Sequence, residues 1–334
     1  MDILFLSSYT KNFGGVSVQM DTLRTCLAQE GLSVESVGLV EGHKWSWPGH
    51  LLKFLYKLPQ CRVLHLHIVS NWKGRYVLYI GVLAGRLAGK RVVATFHSGN
   101  LGRFNAVVRG CYRHTHGVSI MCQNLYQRFV DWHFSVVLIP NIISNKEAFT
   151  AKEKLHPNFI CTRNHVNRTY RLTTIIKAYE VVRDTYPEAV LFLVGNGRDT
   201  QKLKEWVQKR RTPDVVFLGK VSNDKIYDKL RLGDIYLNAS VTDALPISVI
   251  EAMNAGALVI STHVGGIPDM IRDGETGYLV PVNDWQQMAQ KALYALEHPD
   301  EALQIIRNAR ASIPSYQWPA IRQKMAQLYG ISFS

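Results

Sequence analysis

"IYLNASVTDALPISVIEAMNAGALVIST", residues 235–262, reads as strand, loop, helix and strand in 28 residues. "IYLNAS" and "ALVIST" are nearly continuous apolar runs, the pattern of strands buried on both faces. "ISVIEAMNAG" between them has the length and the glycine stop of a helix. A strand, a crossover helix and a second strand make a right-handed unit of a parallel sheet.

The same alternation extends in both directions. Upstream, "NFICTRN", "AVLFLVGNG" and "VVFLGKV" read as strands and "LTTIIKAYEVVRDTYP", "DTQKLKEWVQKR" and "NDKIYDKLRLG" as helices. Downstream come the strand "GYLVPV" and the helix "DWQQMAQKALYALEHP". Before residue 150 a separate series appears: "DILFLSS", "SVESVGLV", "VLHLHIV", "RVVATFH", "GVSIMC" and "VVLIP". The chain is therefore read as α/β, with two doubly wound Rossmann-like domains, 1–152 and 153–312, joined near "FTAKEKLHPN". A closing segment, 313–334, is expected to be a helix packing back on the first domain. Ligands of such sheets sit at the C-terminal ends of strands, and clefts between domains are favoured sites.

The chain has 334 residues, 47% of them hydrophobic, and a formal charge of +13. The charge is uneven: residues 1–150 carry 16 Lys/Arg against 7 Asp/Glu, and the remainder 23 against 19. A basic half points to an anionic partner, either a nucleotide or an anionic membrane. No alternation of aromatic and basic residues of the nucleic-acid-binding kind is present, so nucleic acid is not expected as a partner. Five scattered cysteines without a Cys-x-x-Cys exclude a disulfide framework and a zinc cluster. The N-terminus lacks the build of a signal peptide, and the longest apolar run, "YVLYIGVLAG", is half a membrane span. These features predict a cytoplasmic protein. His65 and His67 alternate with apolar residues and are expected to share a sheet face as structural histidines.

Four places carry candidate chemistry. Asp243 lies in the loop at the end of the "IYLNAS" strand, and Leu245 and Pro246 lead into a helix whose first amides, at Ile247 and Ser248, suit a phosphate. Glu251 falls one turn into that helix, placed to bind a polyol such as a ribose. Arg163 and Arg168 follow the "NFICT" strand, where two cations can clamp a diphosphate. Gly14 and Gly15 open the first helix, where backbone can approach a ligand closely. His97 ends "VVATFH", a strand lip suited to substrate contact.

Taken in order, these residues resemble the retaining glycosyltransferases of family 4, which have the GT-B fold. The resemblance runs over nearly the whole chain and is strongest over 158–285. It comprises Gly14–Gly15, His97, the pair Arg163 and Arg168, Gly195-x-Gly197, Ser240, Asp243, Glu251-Ala-Met, Gly256 and "VGGIPDMIRDGETGYLV". Three positions depart from the family pattern. Asp243 and Asp269 stand where Glu is usual, and Arg168 where Lys is usual. The resemblance implies two Rossmann-like domains facing each other across a cleft. The second would hold a nucleotide sugar, UDP-linked, with Glu251 on the ribose, Arg163 and Arg168 on the diphosphate, and Asp243 on sugar hydroxyls. His97 would contact the transferred sugar from the first domain. A hexose would pass with retention to a glycan or lipid-linked acceptor of envelope polysaccharide synthesis, with no cofactor and no metal. The rival readings are another GT-B enzyme, such as a nucleotide-sugar epimerase or a phosphorylase, and a non-catalytic nucleotide-sugar-binding relative. Arg-x4-Arg and Asp-x7-Glu favour transfer.

One stretch of the basic half, "KWSWPGHLLKFLYKLPQCR" at 44–62, predicts a helix from about Pro48. Leu51, Leu52, Leu55 and Leu58 are expected along one side, widened by Phe54 and Tyr56, with Lys53 and Lys57 on a flank and Trp45 and Trp47 at the start. This composition suits an anionic bilayer surface and a peripheral position at the inner face of the cytoplasmic membrane.

Overall fold

A computed structural model describes residues 1–9, 14–42, 46–102, 104–143 and 152–333. All twelve strands expected from the sequence form, in two six-stranded sheets whose neighbours pair in parallel. The first sheet contains β1 (Ile3–Ser7), β2 (Val34–Gly38), β3 (Val63–Ile68), β4 (Arg91–Phe96), β5 (Gly117–Ile120) and β6 (Val136–Leu138), in the order β2-β1-β3-β4-β5-β6. The second contains β7 (Asn158–Thr162), β8 (Val190–Val194), β9 (Val215–Gly219), β10 (Ile235–Asn238), β11 (Leu258–Thr262) and β12 (Tyr278–Val280), in the order β12-β11-β10-β7-β8-β9. In each, the order reverses beside the first strand of the series, the arrangement that opens a ligand crevice beyond the strand ends.

The chain divides into two compact units, Met1–Ser144 with Tyr316–Ser334, and Asn145–Ser315. In the first unit β1 is buried on both faces. Leu4 and Leu6 pack with Phe54, Leu64, Leu66 and Val77 on one side. Ile3 and Phe5 pack with Met20, Leu23, Ile321, Met325 and Tyr329 on the other. These five partners come from two helices, Gly15–Gln29 and the closing helix Trp318–Tyr329. The closing helix is pinned at its start by Glu30, which accepts from Trp318 Nε1 at 2.8 Å and from Arg322 at 2.8–2.9 Å. At its end the Leu328 carbonyl accepts from Arg91.

In the second unit the helices Leu172–Thr185, Trp285–Glu297 and Pro299–Ala311 cover one face of the sheet, over Phe159, Leu191, Leu237 and Ile260. The helix Pro299–Ala311 was not among the sequence expectations. Its stripe Ala302, Leu303, Ile305, Ile306 and Ala309 is buried, and a proline at its first position marks its start. The five cysteines are free. Among the described residues no helix is long and apolar enough to cross a membrane.

The helix in the basic stretch spans Trp47–Lys57, but its leucines do not share a side. Phe54 and Leu58 are buried in the core, with Leu51 packed against them. Leu52, Leu55 and Tyr56 face outward at 68%, 44% and 75% exposure. The reason is the helical period: 51, 54 and 58 form one stripe and 52, 55 and 56 another. Lys57 is held by Glu35, whereas Lys53 is exposed. Trp45 lies outside the described residues.

Candidate functional site

The second unit builds its site at the C-terminal ends of β7 and β10. Arg163 follows β7 directly, and its guanidinium crosses to the neighbouring strand's exit. Its Nε donates to Asn238 Oδ1 at 3.0 Å and Nη2 donates to Ser240 Oγ at 3.0 Å. Nη2 also pairs with the Asp243 carboxylate. The Tyr170 ring lies beneath, 4.8 Å from the guanidinium carbon. Burial depresses the ionisation of Arg163, and the Asp243 charge outweighs it, holding the guanidinium above its ordinary value. The anchors are themselves fixed. Ser240 Oγ donates to Asn238 Oδ1 at 2.8 Å, Asn238 Nδ2 donates to Ser261 Oγ at 2.8 Å, and Thr262 Oγ1 donates to the Ser240 carbonyl at 2.6 Å. A cation held this way needs no reorganisation to meet an anion.

The loop after β10 is clamped from two sides. Val241 N donates to the Thr169 carbonyl at 2.9 Å, tying it to the short helix Asn167–Tyr170. On the other side the "VGG" turn lies against it. Gly266 N donates to the Asp243 carbonyl at 3.3 Å, and Gly265 has φ +57. A side chain on Gly265 would place its Cβ 1.6 Å from the Asp243 oxygen. The glycines of "VGNGRD" do a similar service for Arg163. A Cβ on Gly195 would sit 2.3 Å from the Arg163 carbonyl oxygen, and one on Gly197 2.5 Å from that of His165.

Beyond the loop, Leu245 and Pro246 are buried. Pro246 caps the helix Ile247–Asn254. The first helical bonds are donated by Val249 and Ile250 to the Pro246 carbonyl, which places the Ile247 and Ser248 amides in the open first turn. Glu251 is half-buried one turn on. The structure thus gathers Arg163, Asp243, Ile247, Ser248 and Glu251 around one strand end and one helix start. Arg168 stands apart: it is exposed on the Asn167–Tyr170 helix, with no bond to Arg163 or Asp243 among the described residues. Asp269 is exposed as well.

Asn238 and Tyr170 were not singled out in the sequence. Asn238 reads as the polar end of a strand, and nothing in a spacing of 75 residues says that Arg163 reaches it. A buried asparagine as the last residue of an otherwise apolar strand is the available signal, because such a group must find a partner.

The first unit holds the remaining candidates. Gly14 precedes the helix Gly15–Gln29 as its N-cap. The residues just before it, 10–13, lie outside the described residues. His97 follows β4 and keeps part of its surface open. Its Nε2 lies 2.9 Å from His67 Nδ1. His65 and His67 share one sheet face with ring centroids 4.2 Å apart, and both are buried. Burial holds all three rings below the usual imidazole range, His65 and His97 down to about 3.

The profile of the family described as glycosyl transferases group 1 matches residues 144–312. Among curated proteins, the chain is 30% identical over 151 residues to N-acetyl-alpha-D-glucosaminyl L-malate synthase of Bacillus anthracis, 45% of this chain and 39% of that protein. It is 33% identical over 149 residues to sulfoquinovosyl transferase SQD2 of Arabidopsis thaliana, 43% of this chain and 28% of that protein. The match thus spans well under half the length of these relatives. Among solved structures, Anabaena Alr3699/HepE in complex with UDP-glucose aligns with a TM-score of 0.79 at 17% identity, over 99% of both chains. Sucrose-phosphate synthase from Thermosynechococcus elongatus aligns with a TM-score of 0.78 at 18% identity, over 99% of this chain and 98% of that one. These likenesses give the fold as GT-B. The family profile covers just over half of the 334 residues, including every member of the Arg163–Asp243 cluster, and the chain belongs to the glycosyl transferases group 1 family.

Proposed function

We propose that the protein is a retaining glycosyltransferase that moves a hexose-type sugar from a UDP-sugar to a glycan or lipid-linked acceptor. The observation that carries this reading is the Arg163 guanidinium, fixed by Asn238, Ser240 and Asp243 at a strand end beside an open helix start. The diphosphate lies against Arg163 and the Ile247 and Ser248 amides, with Arg168 as an outer cation. Glu251 holds the ribose. The Asp243 carboxylate orients Arg163 and accepts from the sugar hydroxyls, and His97 is read as a further contact to the transferred sugar. Cation and amides stabilise charge developing on the departing diphosphate, so the reading calls for no metal and no cofactor. Relatives named N-acetyl-alpha-D-glucosaminyl L-malate synthase and sulfoquinovosyl transferase, and a structural neighbour crystallised with UDP-glucose, support it. The test is the product of a donor panel offered with glycan and lipid acceptors. An α-linked donor should give an α-glycoside and free UDP, and a β-glycoside would overturn the retaining assignment. Donor conversion without any acceptor would favour an epimerase.

The acceptor side is assigned to an anionic bilayer surface, which places the enzyme at the inner face of the cytoplasmic membrane. Support comes from the outward stripe of the Trp47–Lys57 helix, with Leu52, Leu55 and Tyr56 beside Lys53. Leucine, tyrosine and lysine on one exposed surface suit the headgroup boundary, each basic residue contributing about 1 kcal/mol there. The protein should sediment with anionic but not neutral vesicles, and L52E/L55E should release it. Absence of sedimentation at low salt would leave a soluble acceptor.

A further inference from the structure

The hydrogen bonds that hold Arg163 use only two of its three guanidinium nitrogens. Asn238 Oδ1 accepts from Nε at 3.0 Å, and Ser240 Oγ accepts from Nη2 at 3.0 Å. The Asp243 carboxylate pairs with Nη2 as well. Nη1, at the remaining corner, has no hydrogen bond among the described residues. Hydrogen bonds weaken steeply only below about 120° at the hydrogen, so contacts along one edge tolerate a tilt of the guanidinium about that edge. Such a tilt swings Nη1.

A rigid surface against the guanidinium carbon limits that freedom. Tyr170 supplies it: the carbon lies over the face of its ring, 4.8 Å from the centroid. Cation and ring attract through the ring's quadrupole as well as by contact. Tyr170 is half-buried and packed against the core of the second unit. The short helix that carries it, Asn167–Tyr170, is tied down at separate points. Asn167 N donates to Asp199 Oδ2 at 2.8 Å, and Thr173 N donates to Asn167 Oδ1 at 3.0 Å. The Thr169 carbonyl accepts from Val241 N at 2.9 Å. Arg171 then ends the helix at φ +45, a left-handed backbone that a residue with a side chain adopts at a cost. Strain of this kind persists only where the surroundings over-determine it. Here it closes the helix that presents Tyr170 to Arg163.

We propose that Tyr170 is a positioning residue whose ring keeps the Arg163 guanidinium from tilting, so that Nη1 holds one direction toward the diphosphate. This rests on the reading that Arg163 meets the diphosphate of a nucleotide sugar, and it names the residue that sets the aim of that contact. Tyr170 acts through Arg163, and the ring carries the role rather than the hydroxyl.

The experiment uses the full chain labelled with ¹⁵N-arginine, whose Nε–H resonances report the contact without any ligand. The Arg163 signal is identified by its loss in Arg163→Lys. Tyr170→Phe should leave its shift and its exchange with water unchanged. Tyr170→Leu, or Tyr170→Met if the leucine variant does not fold, should move the signal by the lost ring current and speed its exchange. An Arg163 signal in Tyr170→Leu identical to that of the wild type overturns the proposal. Titration with UDP reads the consequence. Tyr170→Leu should raise the Kd for UDP by about three- to thirtyfold, the worth of a cation–π contact, and Tyr170→Phe by no more than about twofold. In an Arg163→Ala background Tyr170→Leu should change the Kd little further, because nothing is left to position. Equal losses in both backgrounds would mark a merely structural role and contradict the proposal. If UDP fails to bind the wild type, the UDP-sugar reading falls, while the Arg163 signal still decides the Tyr170 assignment.

Discussion

Replacing Arg163 with alanine should lower turnover by about 10²- to 10³-fold, the scale seen when a preorganised donor to a developing charge is removed. Two losses combine. The diphosphate loses its fixed cation, and Asp243 is left largely buried with its charge uncompensated. The loss should appear in kcat and in UDP affinity, measured by donor-dependent UDP release and by titration with UDP. Arg163→Lys should recover little, because an ammonium cannot reach Asn238, Ser240 and Asp243 from one planar fork. Arg168→Ala should cost less, since Arg168 is exposed and screened by solvent. A change confined to acceptor affinity in Arg163→Ala would remove Arg163 from the diphosphate.

Gly265→Ala should disable the same site without touching a charged residue. The new Cβ would lie 1.6 Å from the Asp243 carbonyl oxygen and 2.8 Å from its carbon, both backbone atoms, so the Asp243 loop has to move. Left-handed backbone at φ +57 adds about 1–3 kcal/mol of strain for a residue with a side chain. Gly274→Ala is the control. That glycine has φ +74 but no atom within 4 Å of its Cβ position. It should lower the urea midpoint modestly and leave UDP affinity intact, whereas Gly265→Ala should lower both. Equal effects of the two variants would show that the contact with Asp243 does not hold the site.

Much of this was legible in the sequence because burial on both faces leaves a plain mark. Runs such as "LFLS" in β1 and "LVIST" in β11 admit no solvent face, and most of the strands follow from such runs, whereas β2, "VESVG", is partly exposed and follows from its alternation and turns. The helix starting at Ile247 was legible from a loop, a proline and an apolar run, and with it the placing of Asp243 and Glu251. His65 and His67 on one face follow from the two-residue period. What failed to show was partnership at long range. That Arg163 would be bound by Asp243, rather than both waiting open for ligand, depends on β7 and β10 being neighbours in the sheet. The leucines of the Trp47–Lys57 helix misled because apolar residues occupy both stripes, and composition cannot choose the inward one. The bond between His67 and His97 likewise needs β3 and β4 side by side.

The central claim is that the Arg163–Asp243 strand end and the helix at Ile247 bind a nucleotide sugar. Calorimetric titration of the full chain with a panel of UDP- and GDP-sugars, repeated on Glu251→Ala, tests it most directly. We expect one donor to bind one-to-one, to stabilise the fold by about 2.7 kcal/mol at a hundredfold excess over its Kd, and to lose most of its affinity in Glu251→Ala. No binding by any nucleotide sugar in the panel, or binding undiminished in Glu251→Ala, would contradict the account.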